Sequence, residues 1–181
     1  MPHIFKGNLS LLESKERKKI LPAKRILQIM DIKKGDTFID FGCGIGYFSI
    51  PALDYVGEKG KVIAIDVSYQ MLQELIKRIG QSKNLKTIQG DSLDGLTANI
   101  ILLSMVLHEV NEPKKFLDIC FKALKPNGRV FIIDWAKKET GTMGPPFEDR
   151  LAKEEVIKLT DMIYREHFIH KWIYFLEFTK G

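Results

Sequence analysis

The chain has 181 residues, 45% apolar and 28% charged, which suits one globular domain with a single real core. No apolar run approaches a membrane span, the opening "MPHIFKGNLS" lacks the pattern of a secretory signal, and the only cysteines, Cys43 and Cys120, are too few and too far apart for a disulfide scaffold or a zinc site, so a metal-free protein of the reducing cytoplasm is expected. The net charge of +5 is carried by 22 scattered Lys and only 6 Arg, which reads as a solvated surface and disfavours a nucleic-acid partner.

In chain order, residues 9–30 read as helical with a break near Pro22, and "KKGD" at 33–36 is a turn. "TFIDF" (37–41) is a short buried strand ended by Gly42. A helix follows from Tyr47 to about Tyr55, with Pro51 in its first turn. "KVIAID" (61–66) is a second strand. "SYQMLQELIKRIG" is a helix with Ser68 as N-cap, an apolar face of Leu72, Leu75, Ile76 and Ile79, and Gly80 at its end. "LKTIQGD" (85–91) is a third strand. "ANIILLSMVL" (98–107) is long enough for a fully buried strand and the loop after it.

"EPKKFLDICFKAL" is a helix with Pro113 in its first turn; "KPNG" (125–128) stops it, and "RVFIIDW" (129–135) is a fifth strand. "KKETGTMGPPFEDR" is a loop, "LAKEEVIKLTDMI" a last helix, and "YREHFIHKWIYFLEF" a terminal antiparallel hairpin. Strands alternating with helices predict an α/β fold: a doubly wound, Rossmann-like, mainly parallel sheet with helices on both faces.

In such a sheet the ligand sits beyond the carboxyl ends of the strands. "DFGCGIG" (40–46) lies there. Gly42 and Gly44 fit the dinucleotide fingerprint, but the third glycine, Gly46, comes one residue early, and the G-K-[ST] of a phosphate loop is absent. Asp66 ends the second strand, 20 residues after Gly46, where a carboxylate suits ribose hydroxyls; capping of the next helix is the alternative. Asp91 follows the third strand, with an Asx turn as its alternative.

The spacing D-x-G-x-G-x-G after a strand resembles the first motif of the class I S-adenosylmethionine-dependent methyltransferases. The later landmarks, "VIAID", "QGDSL", "SMVLHEV" and "LKPNGRVFIID", resemble the same family in order over about residues 22–136. Within the family, "GPPFEDRLAKEEV" and "VLHEV" look most like the small-molecule, ubiquinone/menaquinone-biosynthesis-type branch. The resemblance implies seven strands, S-adenosyl-L-methionine as cofactor and a small-molecule methyl acceptor. It implies one methyltransferase domain over 1–181, with 1–30 as a helical lid segment, 36–136 as the cofactor-binding core, and 137–181 as loop, helix and terminal strands. The implied cofactor residues are Asp40, Gly42, Cys43, Gly44, Gly46, Asp66, Val67, Met71, Asp91, Ser92 and Ser104.

On the acceptor side, His108 and Glu109 are the candidates for a general base, each with a bland alternative: a packed loop histidine and an exposed acid. His167, His170, Trp172 and Tyr174 read as sheet or packing residues. Arg150 reads as a surface ion pair or an anion-binding residue. Ile4 and Phe5 could supply apolar lid contacts. Arsenite chemistry is disfavoured by the cysteines, and the N-P-P-Y-type motif of many amino-directed nucleic-acid methyltransferases is missing at 104–107. A nucleic-acid or protein methyltransferase, or a cofactor-binding protein without its own acceptor, remain the alternatives. A monomer or homodimer is expected.

Overall fold

The computed structural model describes residues 14–80, 82–141 and 143–179. Seven strands form one sheet in the order β3-β2-β1-β4-β5-β7-β6. They are β1 (Thr37–Phe41), β2 (Lys61–Asp66), β3 (Leu85–Gln89), β4 (Ala98–Ser104), β5 (Leu124–Trp135), β6 (Ile163–His167) and β7 (Ile173–Thr179). The first five pair in parallel; β7 runs antiparallel to both β5 and β6. The expected hairpin is therefore present, with β7 inserted between β5 and the edge strand β6.

The central strands β1, β2 and β4 are mostly apolar and mostly buried because both faces of a parallel sheet are covered. On one face, Ile20, Leu21, Ile26, Leu27 and Met30 from α1 (Lys15–Ile20), α2 (Ala23–Ile29) and the residues that cap their ends, with Phe48 at the start of α3 (Ser49–Val56) and Ala52 and Val56 within it, cover Phe38, Val62, Ile100, Leu102, Phe131 and Phe175. On the other, Leu117, Cys120 and Phe121 of α5 (Pro113–Lys122) and Val156 of α6 (Lys153–Ile157) cover Ile39, Ile63, Ile101, Leu103, Ile132 and Leu176. Leu72 and Leu75 of α4 (Tyr69–Ile79) pack on Ala64 and Cys43.

Three elements depart from the sequence expectation. The last helix is α6 alone, since the chain leaves helical geometry after Lys158 and turns into β6. "KPNG" does not simply end α5: it lies within β5, where the ladder with β4 slips between Ala98 and Ile100 and Asn127 takes a left-handed φ of 61°. In α4 the buried set is Met71, Leu72 and Leu75, and Ile76 faces solvent. Among the described residues no helix is long and apolar enough to cross a membrane.

Candidate active site

A cavity of about 710 Å³ opens at the carboxyl ends of β1, β2, β4 and β5, within the roughly 300–1,000 Å³ range of small-molecule sites. One side is built by the glycine loop. Gly42, Gly44 and Gly46 all have positive φ, which an L side chain adopts only with strain. They do different work. A Cβ on Gly42 would meet Val106 Cγ2 at 2.4 Å, and one on Gly46 would meet Leu75 at 2.9 Å, so these two permit close packing. A Cβ on Gly44 would meet nothing within 4 Å, because Gly44 lines the open cavity.

Asp66 braces this loop. One carboxylate oxygen accepts from the Gly44 N–H and the other from the Ser68 N–H, both at 2.8 Å. The loop and the start of α4 are thus pinned to the end of β2. Ser68 remains the N-cap, its hydroxyl accepting from Met71 N–H. Asp66 still lines the cavity, and an ionised carboxylate has acceptor capacity beyond two bonds.

Asp40 is 1% exposed and its carboxylate accepts from the Ser49 hydroxyl at 2.6 Å. Burial pushes its carboxyl up to about 7, against the opposing hydrogen bond from Ser49 and the charge of Arg17. Burial also pushes the Cys43 thiol far above its ordinary value, which makes it a small filler and not a nucleophile.

Of the other residues expected at the cofactor, Val67, Met71, Asp91 and Ser104 line the cavity, whereas Gly46 and Ser92 do not. Ser92 is exposed and its hydroxyl accepts from Asp94 N–H in a local turn. The Ser104 hydroxyl is 8% exposed by residue and has no hydrogen-bond partner among the described residues. A buried orphan hydroxyl on a cavity wall is a place for a polar ligand atom.

The opposite side comes from distant segments. Ser14, Arg17, Ile20 and Leu21 approach from the chain's beginning; Ile4 and Phe5 lie outside the described residues. Arg17 stacks over the Tyr47 ring at 5.1 Å, and the Tyr47 hydroxyl donates to Leu21 O. Met105, Val110, Asn111, Phe116, Trp135, Met143, Gly144 and Pro145 complete the wall.

His108 and Glu109 both line the cavity on a short 3-10 turn, Leu107–Glu109. Sequence reasoning missed their partner, Asp134, although an acid ending the apolar run "VFIID" repeats the pattern of Asp40 and Asp66. Asp134 is 1% exposed and accepts from His108 Nδ1 at 2.7 Å, from His108 N–H at 3.2 Å and from Trp135 N–H at 2.8 Å. Burial pushes Glu109 up to about 7.

Arg150 is neither a surface ion pair nor an anion site. It is 4% exposed, and its guanidinium donates to the carbonyls of Lys138, Met143 and Pro145 while covering Trp135. It ties the 138–145 loop into the cavity wall. His167 pairs with Glu177 at 2.8 Å, and His170 packs on Trp172, both away from the cavity.

A methyltransferase domain family matches residues 32–170. The chain belongs to that family. A solved S-adenosylmethionine-dependent methyltransferase from Aquifex aeolicus superposes with a TM-score of 0.82 at 29% identity, covering 95% of this chain and 96% of that one. The ubiquinone/menaquinone biosynthesis C-methyltransferase of Salmonella arizonae is 31% identical over 113 residues, 59% of this chain and 45% of that enzyme. The chain therefore spans less than half the length of the curated relatives it matches. An arsenic(III) S-adenosylmethionine methyltransferase from Chlamydomonas reinhardtii shares the fold at 19% identity and a TM-score of 0.66, covering 83% of this chain and 65% of that one. The fold is that of the class I S-adenosylmethionine-dependent methyltransferases, and S-adenosylmethionine is the cofactor of this family.

Proposed function

We propose that this methyltransferase holds S-adenosylmethionine against the glycine loop, Asp66, Val67, Met71, Asp91 and Ser104, and delivers its methyl group to a small-molecule acceptor lying against Phe116, Trp135, Met143 and Pro145. The observation that carries this reading is one cavity with two differently built sides: a carboxylate-and-glycine side and an apolar, aromatic side. When bound, the cofactor supplies an electrophilic methyl group on a cationic sulfur. Asp40, Asp66 and Asp91 suit its cationic and hydroxyl-bearing parts, the last two without competition from a lining lysine. Gly44 leaves room for a ligand close to the backbone, and the orphan Ser104 hydroxyl offers a hydrogen bond.

The enclosing wall excludes water and orients the acceptor for in-line attack. Among the described residues Arg17 is the one lysine or arginine on the cavity lining, which favours a small acceptor over a nucleic-acid strand. The Salmonella relative, a C-methyltransferase of quinone biosynthesis by name, supports a small acceptor as well. Both cysteines are buried and free, so paired thiolates for arsenite are not at hand, and a reducing cytoplasm as a monomer or homodimer is the setting proposed.

The experiment is calorimetry with S-adenosylhomocysteine, followed by incubation of the protein and methyl-tritiated cofactor with a small-molecule extract, total RNA and total protein in parallel. Binding, with label entering the small-molecule fraction, is expected. Absence of binding at millimolar concentration sinks the cofactor reading, and label confined to RNA or protein sinks the acceptor reading.

A further inference from the structure

We infer that His108 is the proton acceptor of this cavity and Asp134 its positioning residue, so that the acceptor's nucleophilic atom arrives carrying a proton. This rests on the methyl-transfer reading above. The Asp134 carboxylate grips His108 twice, through the Nδ1–H at 2.7 Å and the backbone N–H at 3.2 Å, and is itself held by Trp135 N–H at 2.8 Å. A ring fixed at both its backbone and one nitrogen cannot swing. Donation from Nδ1 leaves the lone pair of a neutral imidazole on Nε2. Nε2 has no hydrogen-bond partner among the described residues; its nearest charged neighbour, Glu109 Oε1, stands 3.9 Å away, beyond hydrogen-bond reach.

The residue lines the cavity beside the wall assigned to the acceptor. The charged groups that face it are Asp134 from β5, Glu109 on its own turn and Asp149 from the Phe147–Asp149 turn. Burial opposes charge on the ring, yet the Asp134 hydrogen bond and these three acids together hold its pKa above the ordinary histidine value. A base tuned upward suits removal of a weakly acidic proton.

The step balances as follows. Nε2 takes the proton from the acceptor atom, and the electron pair of that atom forms the new bond to the methyl carbon. The carbon–sulfur bond breaks with its pair left on sulfur, and the imidazolium then yields its proton to solvent. Acceptors whose nucleophilic atom bears a removable proton (a hydroxyl, an amine or an activated carbon) belong to this class; tertiary amines and thioethers do not.

The test uses the whole chain, labelled with [15N]histidine and saturated with S-adenosylhomocysteine. Long-range proton–nitrogen spectra follow the rings from acid to alkaline pH, with H108Q assigning the signal. The expected result is the Nδ1–H tautomer at alkaline pH, a titration midpoint above that of a free histidine, and a fall of at least about one pH unit in D134N. An Nε2–H tautomer in the wild type, or a midpoint that D134N leaves in place, overturns the inference. Diethyl pyrocarbonate gives a second readout that needs no variant: modification of His108 is expected, and a His108 that stays unmodified while His170 reacts overturns it. Calorimetry in the same samples separates the two readings. Loss of S-adenosylhomocysteine binding strikes the cofactor assignment, and intact binding with the wrong tautomer strikes only the base.

Discussion

The Ser49 hydroxyl donates to the Asp40 carboxylate at 2.6 Å, where Asp40 is 1% exposed. The hydrogen bonds from the Ser49 hydroxyl and backbone, with the charge of Arg17, offset only part of the cost of burying that charge, and the carboxyl ionises at about 7. In the unfolded chain an aspartate ionises near about 3.9. Between the two values the native chain holds a proton that the unfolded chain has lost. The stabilisation is complete below the lower value and disappears as pH rises through the upper one. Asp40→Asn keeps an acceptor for Ser49 and removes the charge. It is expected to melt above the wild type at mildly alkaline pH, by up to about 4 kcal/mol, with the difference closing in acid. Identical melting curves in alkali would contradict the account.

Asp66 holds two backbone N–H groups and borders the cavity. Asp66→Ala leaves both donors to solvent or to nothing. S-adenosylhomocysteine should bind more weakly by at least ~1 kcal/mol, and unfolding should become easier by about 1–3 kcal/mol. Calorimetry and thermal denaturation read the two effects separately. Loss of affinity with no change in melting would mean that the brace carries no stability.

Two glycines separate packing from ligand space. Alanine at either one meets the left-handed penalty of about 1–2 kcal/mol. Gly42→Ala adds a collision with Val106, so its melting temperature should drop well beyond that penalty. Gly44→Ala meets no protein atom, so its stability loss should stop at the penalty while S-adenosylhomocysteine affinity falls at least ~10-fold. Equal affinity in G44A and wild type would remove the cofactor from that side of the cavity.

Tyr174 belongs to β7, with its hydroxyl buried and unpartnered among the described residues, and burial drives its ionisation far above the ordinary phenol value. Removing a group that makes no bond recovers its desolvation cost. Tyr174→Phe should therefore be neutral or stabilising, by up to ~1–2 kcal/mol in urea denaturation. A loss of more than about 1 kcal/mol would reveal a partner for the hydroxyl.

Arg150→Met preserves much of the stem and removes every guanidinium bond to the Lys138, Met143 and Pro145 carbonyls. Destabilisation of about 3 kcal/mol or more is expected, with early tryptic cleavage at Lys137 and Lys138. Unchanged cleavage kinetics would show that the loop is held by other contacts.

The strands β1 and β2 were legible to the residue because each is a short, mostly apolar and β-branched stretch set off by turns, and the glycine loop was legible because its chemistry is local to seven residues. The wall facing it was not. His108 and Asp134 stand 26 positions apart and meet only because β4 and β5 pair side by side. Arg150 reads as a surface charge until the loop before it curls and aims three carbonyls at one guanidinium. The short α6 escaped for another reason: "VIKLTDMI" keeps a helical spacing of apolar residues, and the switch to an edge strand after Lys158 is imposed by pairing with β7. Gly46 has the motif's spacing but serves Leu75 and α4, a role that spacing alone does not separate from ligand contact.

The guanidinium of Arg150 acts on its loop as a clasp acts on a strap. Bonds from one side chain reach Lys138, Met143 and Pro145, so that wall of the cavity cannot peel open residue by residue. Met143 and Pro145 line the cavity, so one side chain remote from the glycine loop fixes the shape of one of its walls.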